Sequence, residues 1–172
     1  MNKKAGNNDE QPTGDEEKYL ELVKTVLAKA HLEPEPLPDE PGFRVDFAEA
    51  EPPLDVFGLA HVLEDYKFFV FHLEFKTRAA KKTLPQVERF MTLGNWGLNA
   101  GNFELDLKTG RMQFKTYVDY TGTKLTGVFV RNAILTAIEA VEAFGPALLG
   151  VAKGELTPED AMKQIDEGGE DE

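Results

Sequence analysis

The chain has 172 residues, the size of one domain with tails, and 41% of them are apolar, enough to bury a core. Its net charge of −12 disfavours direct binding to DNA, RNA or anionic lipid, since each phosphate contact needs a cation, and makes a basic or nucleic-acid-associated protein the better partner. It contains neither cysteine nor serine, which removes disulfides, thiolate metal sites and every serine or cysteine nucleophile.

Read by its uninterrupted apolar runs, the sequence is expected to hold no segment approaching the roughly 20 residues that span a bilayer, and the N-terminus carries no apolar segment of the signal-peptide kind. A soluble, cytoplasmic protein with no membrane contact is the expectation. Residues 1–12 are polar and read as a disordered tail. Thr13 with Glu16 forms a capping box, and Leu20, Val23, Leu27 and Ala30, flanked by Tyr19 and Val26, predict a helix over about residues 14–30. Pro34, Pro36, Pro38 and Pro41 then exclude helix, so the chain runs extended into a strand over 42–48, where Phe43, Val45 and Phe47 alternate with Arg44 and Asp46.

Residues 55–63 and 67–75 read as the next two strands, with Asp65-Tyr66 as the turn. That turn pairs Ala60 with Phe71 and Gly58 with Leu73, small against large, and puts Val62, Phe69 and Phe75 on the same face, toward the helices. The opposite face carries Phe57, Leu59, His61, Leu63, Phe68, Val70 and His72, too apolar for water, so a partner strand, a second subunit or a bound protein should cover it. A basic cluster follows: Lys76, Arg78, Lys81 and Lys82, read as a solvated loop or a dock for an acidic segment.

Thr83 with Gln86 caps a second helix that tolerates Pro85 in its first turn, turns Val87, Phe90, Met91 and Leu93 inward, and ends at Gly94 and Gly97. Trp96, the sole tryptophan, is expected in the core or at a seam. A hairpin comes next, since Phe103, Leu105 and Leu107 alternate with polar residues, as do Met112, Phe114, Thr116 and Val118. An even loop such as Thr109-Gly110 sets Leu105 opposite Phe114 and Glu104 opposite Lys115, whereas an odd loop would send apolar side chains to the wrong face.

The spacing Asn95-x-x-Leu98-x-x-Gly101-x-Phe103-x-Leu105-Asp106, with Gly110 in the following turn, resembles the YbjN family of bacterial proteins, often labelled sensory transduction regulators. The likeness runs from about Leu84 to Gly150 and includes Ala140-Val141 and Phe144-Gly-Pro146-Ala-Leu148 in the next helix. It implies an α+β fold like that of type III secretion chaperones, an α-β-β-β-α-β-β-α sandwich with an antiparallel sheet and helices on one face. It also implies a binding role rather than a catalytic one.

From about Lys124, the residues Val130, Ile134, Ala137, Val141, Phe144, Leu148 and Val151 form the stripe of the main core helix, which Gly145-Pro146 should kink or interrupt. Residues 13–152 thus make the domain, 153–167 hold a short helix begun at Thr157-Pro158, and 168–172 are an acidic tail.

The residues with chemical potential are few. Gly94 to Gly101 lies between helix and strand, the reverse of a phosphate loop, and reads as a turn. His31, His61 and His72 have no metal-ligand spacing; His61 and His72 are read as half-buried sheet residues, or more sharply as a cross-strand pair sensitive to pH. Glu64 and Asp65 are expected to be solvated in their turn. With no catalytic, cofactor or metal motif, the sequence points to a non-catalytic protein-binding or chaperone-like regulatory module that meets its partner through an apolar sheet face or edge. The alternatives are a homodimeric stress or signalling regulator that spends the face on self-association and, more remotely, a carboxylate- or metal-dependent enzyme.

Overall fold

The computed structural model describes residues 14–47 and 54–168. The expectations for residues 1–12, the Thr13 cap, the strand end at residue 48 and residues 169–172 lie outside them. Helix α1 (Gly14–Lys29) buries Tyr19, Val23 and Leu27; Ala30, expected on that stripe, is exposed just past the helix end. The proline-rich segment contributes a two-residue edge strand β1 (Glu35–Pro36), followed by β2 (Gly42–Asp46), β3 (Val56–Leu63) and β4 (Phe68–Phe75). Then come α2 (Leu84–Gly97), β5 (Asn102–Leu105), β6 (Met112–Asp119), α3 (Gly127–Lys153) and α4 (Pro158–Gly168). The strands form one antiparallel sheet in the order β1-β2-β3-β4-β6-β5.

The pairing of β3 with β4 follows the small-against-large logic: Ala60 faces Phe71 and Gly58 faces Leu73. Gly58 is required there, because a Cβ on it would lie 2.5 Å from Val45 Cγ2 and 3.0 Å from Phe71 Cζ. Val62, Phe69, Phe71, Leu73 and Phe75 all point to the inner face and are buried, each worth roughly 1.5–3 kcal/mol of apolar burial. The turn is a single 3-10 turn over Glu64–Tyr66 closed by Lys67, which sits left-handed at φ 57°.

The second hairpin keeps the expected even parity, but its register differs by two residues. Leu105 faces Met112 and Glu104 faces Gln113. The cause is Asp106, whose N–H bonds Arg111 O and whose carboxylate accepts from Lys108 N–H at 2.8 Å and Thr109 Oγ1 at 2.6 Å. This side-chain-closed turn takes Leu107 through Gly110 out of the ladder, and Leu107 ends 56% exposed.

All three longer helices cover the inner face. Tyr19 of α1 meets Tyr120 edge to face at 5.3 Å, Thr116 Oγ1 donates to Ala133 O of α3 at 2.9 Å, and Phe144 of α3 stacks near Phe103 at 5.7 Å. Helix α4 packs on α2 and α3, with Ala161 fully buried; Thr157 caps it by accepting from Asp160 N–H at 3.1 Å. Gly94 does not end α2. It lies inside the helix, where a Cβ would stand 3.1 Å from Phe144 Cε1, so that the ring would have to shift by a few tenths of an ångström to admit one.

Three further expectations are corrected. Thr83 makes no side-chain cap on α2; it is buried, and its hydroxyl lies 3.0 Å from Ala80 O and 2.9 Å from Ala152 O, linking the start of α2 to the end of α3. Pro146 does not interrupt α3, which is fixed on that side by buried Gly145, Ala147 and Leu148. Finally, α3 has an 18-residue window of mean hydropathy 1.6 and is long and apolar enough by composition to cross a membrane. Here it is the central core helix, apolar because sheet and helices surround it.

Candidate interaction face

The pleat turns every second residue of the sheet away from the helices, and the registers align these residues in rows. One row reads Asp46, Phe57, Glu74, Gln113 and Glu104; the next reads Arg44, Leu59, His72, Lys115 and Asn102. Then follow Gly42, His61, Val70 and Tyr117, and last Leu63, Phe68 and Asp119. The seven residues singled out from sequence, Phe57, Leu59, His61, Leu63, Phe68, Val70 and His72, therefore share one continuous patch. All seven are half-buried, and none of the described helices lies over them.

Several of these side chains contact one another or a neighbour on the same face. The imidazoles of His61 and His72 lie 5.7 Å apart, Phe68 meets Tyr117 edge to face at 5.7 Å, and the Arg44 guanidinium sits 3.9 Å over the Phe57 ring. Charged groups ring the patch in pairs. Arg111 grips Glu74 with two bonds, Nε to Oε1 at 3.0 Å and Nη2 to Oε2 at 2.5 Å, and Lys115 pairs with Glu104. Burial pushes the Glu104 carboxyl up, but hydrogen bonds from Lys115, Gln113 and Asn102 outweigh it and hold it below its ordinary value. Burial keeps His61 below the usual histidine value although Glu40 Oε2, 3.3 Å from Nδ1, pulls the other way. His72 is lowered by burial and then by His61.

The sequence reading missed two features of this region. Tyr117, counted only as a polar alternation partner, is 61% exposed at the end of the apolar row. Beside it the sheet is open. Strand β5 stops at Asn102 opposite Lys115, so among the described residues the last half of β6 has no neighbouring strand on that side. Because Asp106 bonds Arg111, the odd-numbered residues of β6 direct their backbone toward β5, and Tyr117 is the next in that series without a strand to meet. Behind this edge lies a cavity of about 600 Å³ lined in part by Leu98, Gly101, Val118, Phe129 and Ala133. The signal was present, since the alternating run before Gly110 is shorter than the run after it.

Elsewhere the structure disagrees with the sequence reading. Trp96 is 93% exposed, neither core nor seam, because Phe90, Met91 and Gly94 take the inner side of α2. Leu93, expected inward, is 37% exposed for the same reason. Glu64 is not solvated: it is buried, receives the Tyr120 hydroxyl at 2.5 Å and pairs with Lys67. In the basic cluster, Lys76, Arg78, Lys81 and Lys82 are all exposed, and Lys76 Nζ bonds Asp46 Oδ1 at 2.8 Å. Among the described residues, no three His, Asp or Glu side chains gather into a group able to hold a metal ion.

No protein-family model and no curated protein sequence matches the chain. Solved structures do. The fold is similar to that of YbjN from E. coli, a candidate transcription regulator, with a TM-score of 0.54 and 10% identity over 71% of this chain and 87% of that one. It is also similar to a chain in the complex of ExsC with ExsE, with a TM-score of 0.53 and 14% identity over 77% of this chain and 94% of the other. The resemblance read from the Asn95 to Asp106 spacing thus holds at the level of the fold, an antiparallel sheet covered by helices.

Proposed function

We propose that this chain is a non-catalytic, chaperone-like regulatory module that holds an extended segment of a partner protein against the outer sheet face, with the open edge of β6 as the adjoining contact. The observation that carries this reading is the continuous patch from Phe57 to Tyr117, partly exposed and rimmed by paired charges, which is the make-up of an apolar interface core with a polar rim. Among the solved structures that share the fold, one is a complex between two proteins and another a candidate regulator, which agrees with a binding role. Membership of the YbjN family is part of the same proposal, resting on the shared fold and the quoted spacing. A cytoplasmic setting and a basic partner, favoured by the charge of −12, complete it.

Self-association is the second reading, favoured by the extent of a patch that the described residues leave uncovered by any helix. The two separate in one experiment. Leu59→Glu/Val70→Glu places two carboxylates at the centre of the patch without touching the inner core. With reduced, carboxamidomethylated lysozyme as an unfolded, basic client, the wild-type chain should bind and the double variant should lose at least tenfold in affinity, about 1.4 kcal/mol. Sedimentation of the chain alone gives the other answer: a dimer that the same two substitutions dissociate, together with no client binding, transfers the face to self-association.

A further inference from the structure

We propose that His61 and His72 make occupancy of the outer face depend on pH, so that a partner held near neutrality is released on mild acidification; this rests on the outer face being the docking surface. The two imidazoles stand on neighbouring strands in the middle of the patch, 5.7 Å apart and tilted by 55°, with Leu59 and Val70 as their cross-strand neighbours. As neutral rings they extend the apolar surface. As imidazolium ions they put two like charges at the place a partner must desolvate.

The surrounding charges do not neutralise that change. Glu40, from the loop before β2, faces His61 Nδ1 at 3.3 Å, but its side chain is 65% exposed, and water screens it. Arg44 of β2 is held over the Phe57 ring. Opposite His72, Lys115 of β6 adds positive charge and is taken up by Glu104 of β5, while Glu74 on β4 is engaged by Arg111. Glu104 and Gln113 pull His72 upward, but burial, His61 and Lys115 outweigh them. Burial already holds both histidines below their ordinary value of 6.5, and His61 lowers His72 further. A docked partner removes more water and lowers them again. Since the occupied state then has the lower histidine pKa, binding is at full strength above the free-state values and weakens as pH falls through and below them. Each additional unit of depression corresponds to about a tenfold loss once the free imidazole is protonated.

Two measurements test this. In an NMR pH titration of the free protein, both histidines should titrate below the ordinary value, and His61→Gln should raise the value for His72. Independent titration at the ordinary value overturns the proposal whatever the partner. For reduced, carboxamidomethylated lysozyme, a basic client, affinity should fall roughly tenfold between pH 7.5 and pH 5.5 in the wild-type protein. His61→Gln/His72→Gln should hold it within about twofold. An equal fall in both proteins also overturns the proposal. Absence of binding at pH 7.5 removes the docking surface instead, a failure of the functional reading that the titration of the free protein is able to distinguish.

Discussion

Glu64 shows how far a single side chain departs from what its neighbours in sequence suggest. Placed beside Asp65 in a turn, it reads as solvated; in the fold it is 7% exposed and accepts from Tyr120 and Lys67. The partner that buries it, Tyr120, is distant in sequence and arrives only when β6 pairs with β4 and returns to Lys67 through Tyr120 N–H. Burial raises its pKa, the bonds from Lys67 and Tyr120 outweigh that, and the result lies below the ordinary 4.5. The Tyr120 phenol is pushed the other way, above its ordinary value, by burial and by Glu64. A depressed carboxylate contributes stability that is complete above its unfolded value and is lost as pH falls through the folded one. Urea unfolding of wild type and Glu64→Gln should therefore differ most near neutrality and converge in acid below 4.5. Tyr120→Phe should cost about 1–3 kcal/mol at neutral pH for the unsatisfied buried carboxylate.

At the scale of elements, legibility followed the range of the interactions involved. The β3–β4 register was readable because Gly58 and Ala60 can face only large residues, and a slip would expose Phe69, Phe71 and Leu73 together. The β5–β6 parity was readable for the same reason, but not its register, because Asp106 closes a longer turn with its own side chain. In α2 the stripe was visible, yet Trp96 was misplaced: whether Gly94 or Trp96 faces α3 depends on how closely Phe144 approaches, and no periodicity encodes that. These assignments predict unequal costs. Gly101 sits at φ 74° with a Cβ position 2.6 Å from the Phe114 ring, so Gly101→Ala should destabilise by roughly 1–3 kcal/mol through strain and overpacking. Trp96→Ala, although it removes the largest side-chain type, should stay within about 0.5 kcal/mol. Thermal or chemical unfolding that reversed this order would place α2 the other way round on the sheet.

For the whole molecule, the α+β architecture and the helices on one face were legible because the inner residues of β3, β4 and β6 alternate strictly and the stripe of α3 is long. The apolar character of the outer face was legible for the same reason. Its rim was not, since Arg111 with Glu74 and Lys115 with Glu104 come together only across strands. The open edge of β6 emerges from a comparison of two strand lengths after pairing. What occupies the face is not written in the pattern of this chain, because an interface is specified jointly with its partner. The most direct measurement places a photoreactive p-benzoylphenylalanine either at Phe68, on the outer face, or at Thr92, exposed on α2, and irradiates each protein with the unfolded lysozyme client. The account predicts an adduct from Phe68 and little from Thr92; adduct formation from Thr92 alone, with Phe68 silent while the client is bound, would contradict it.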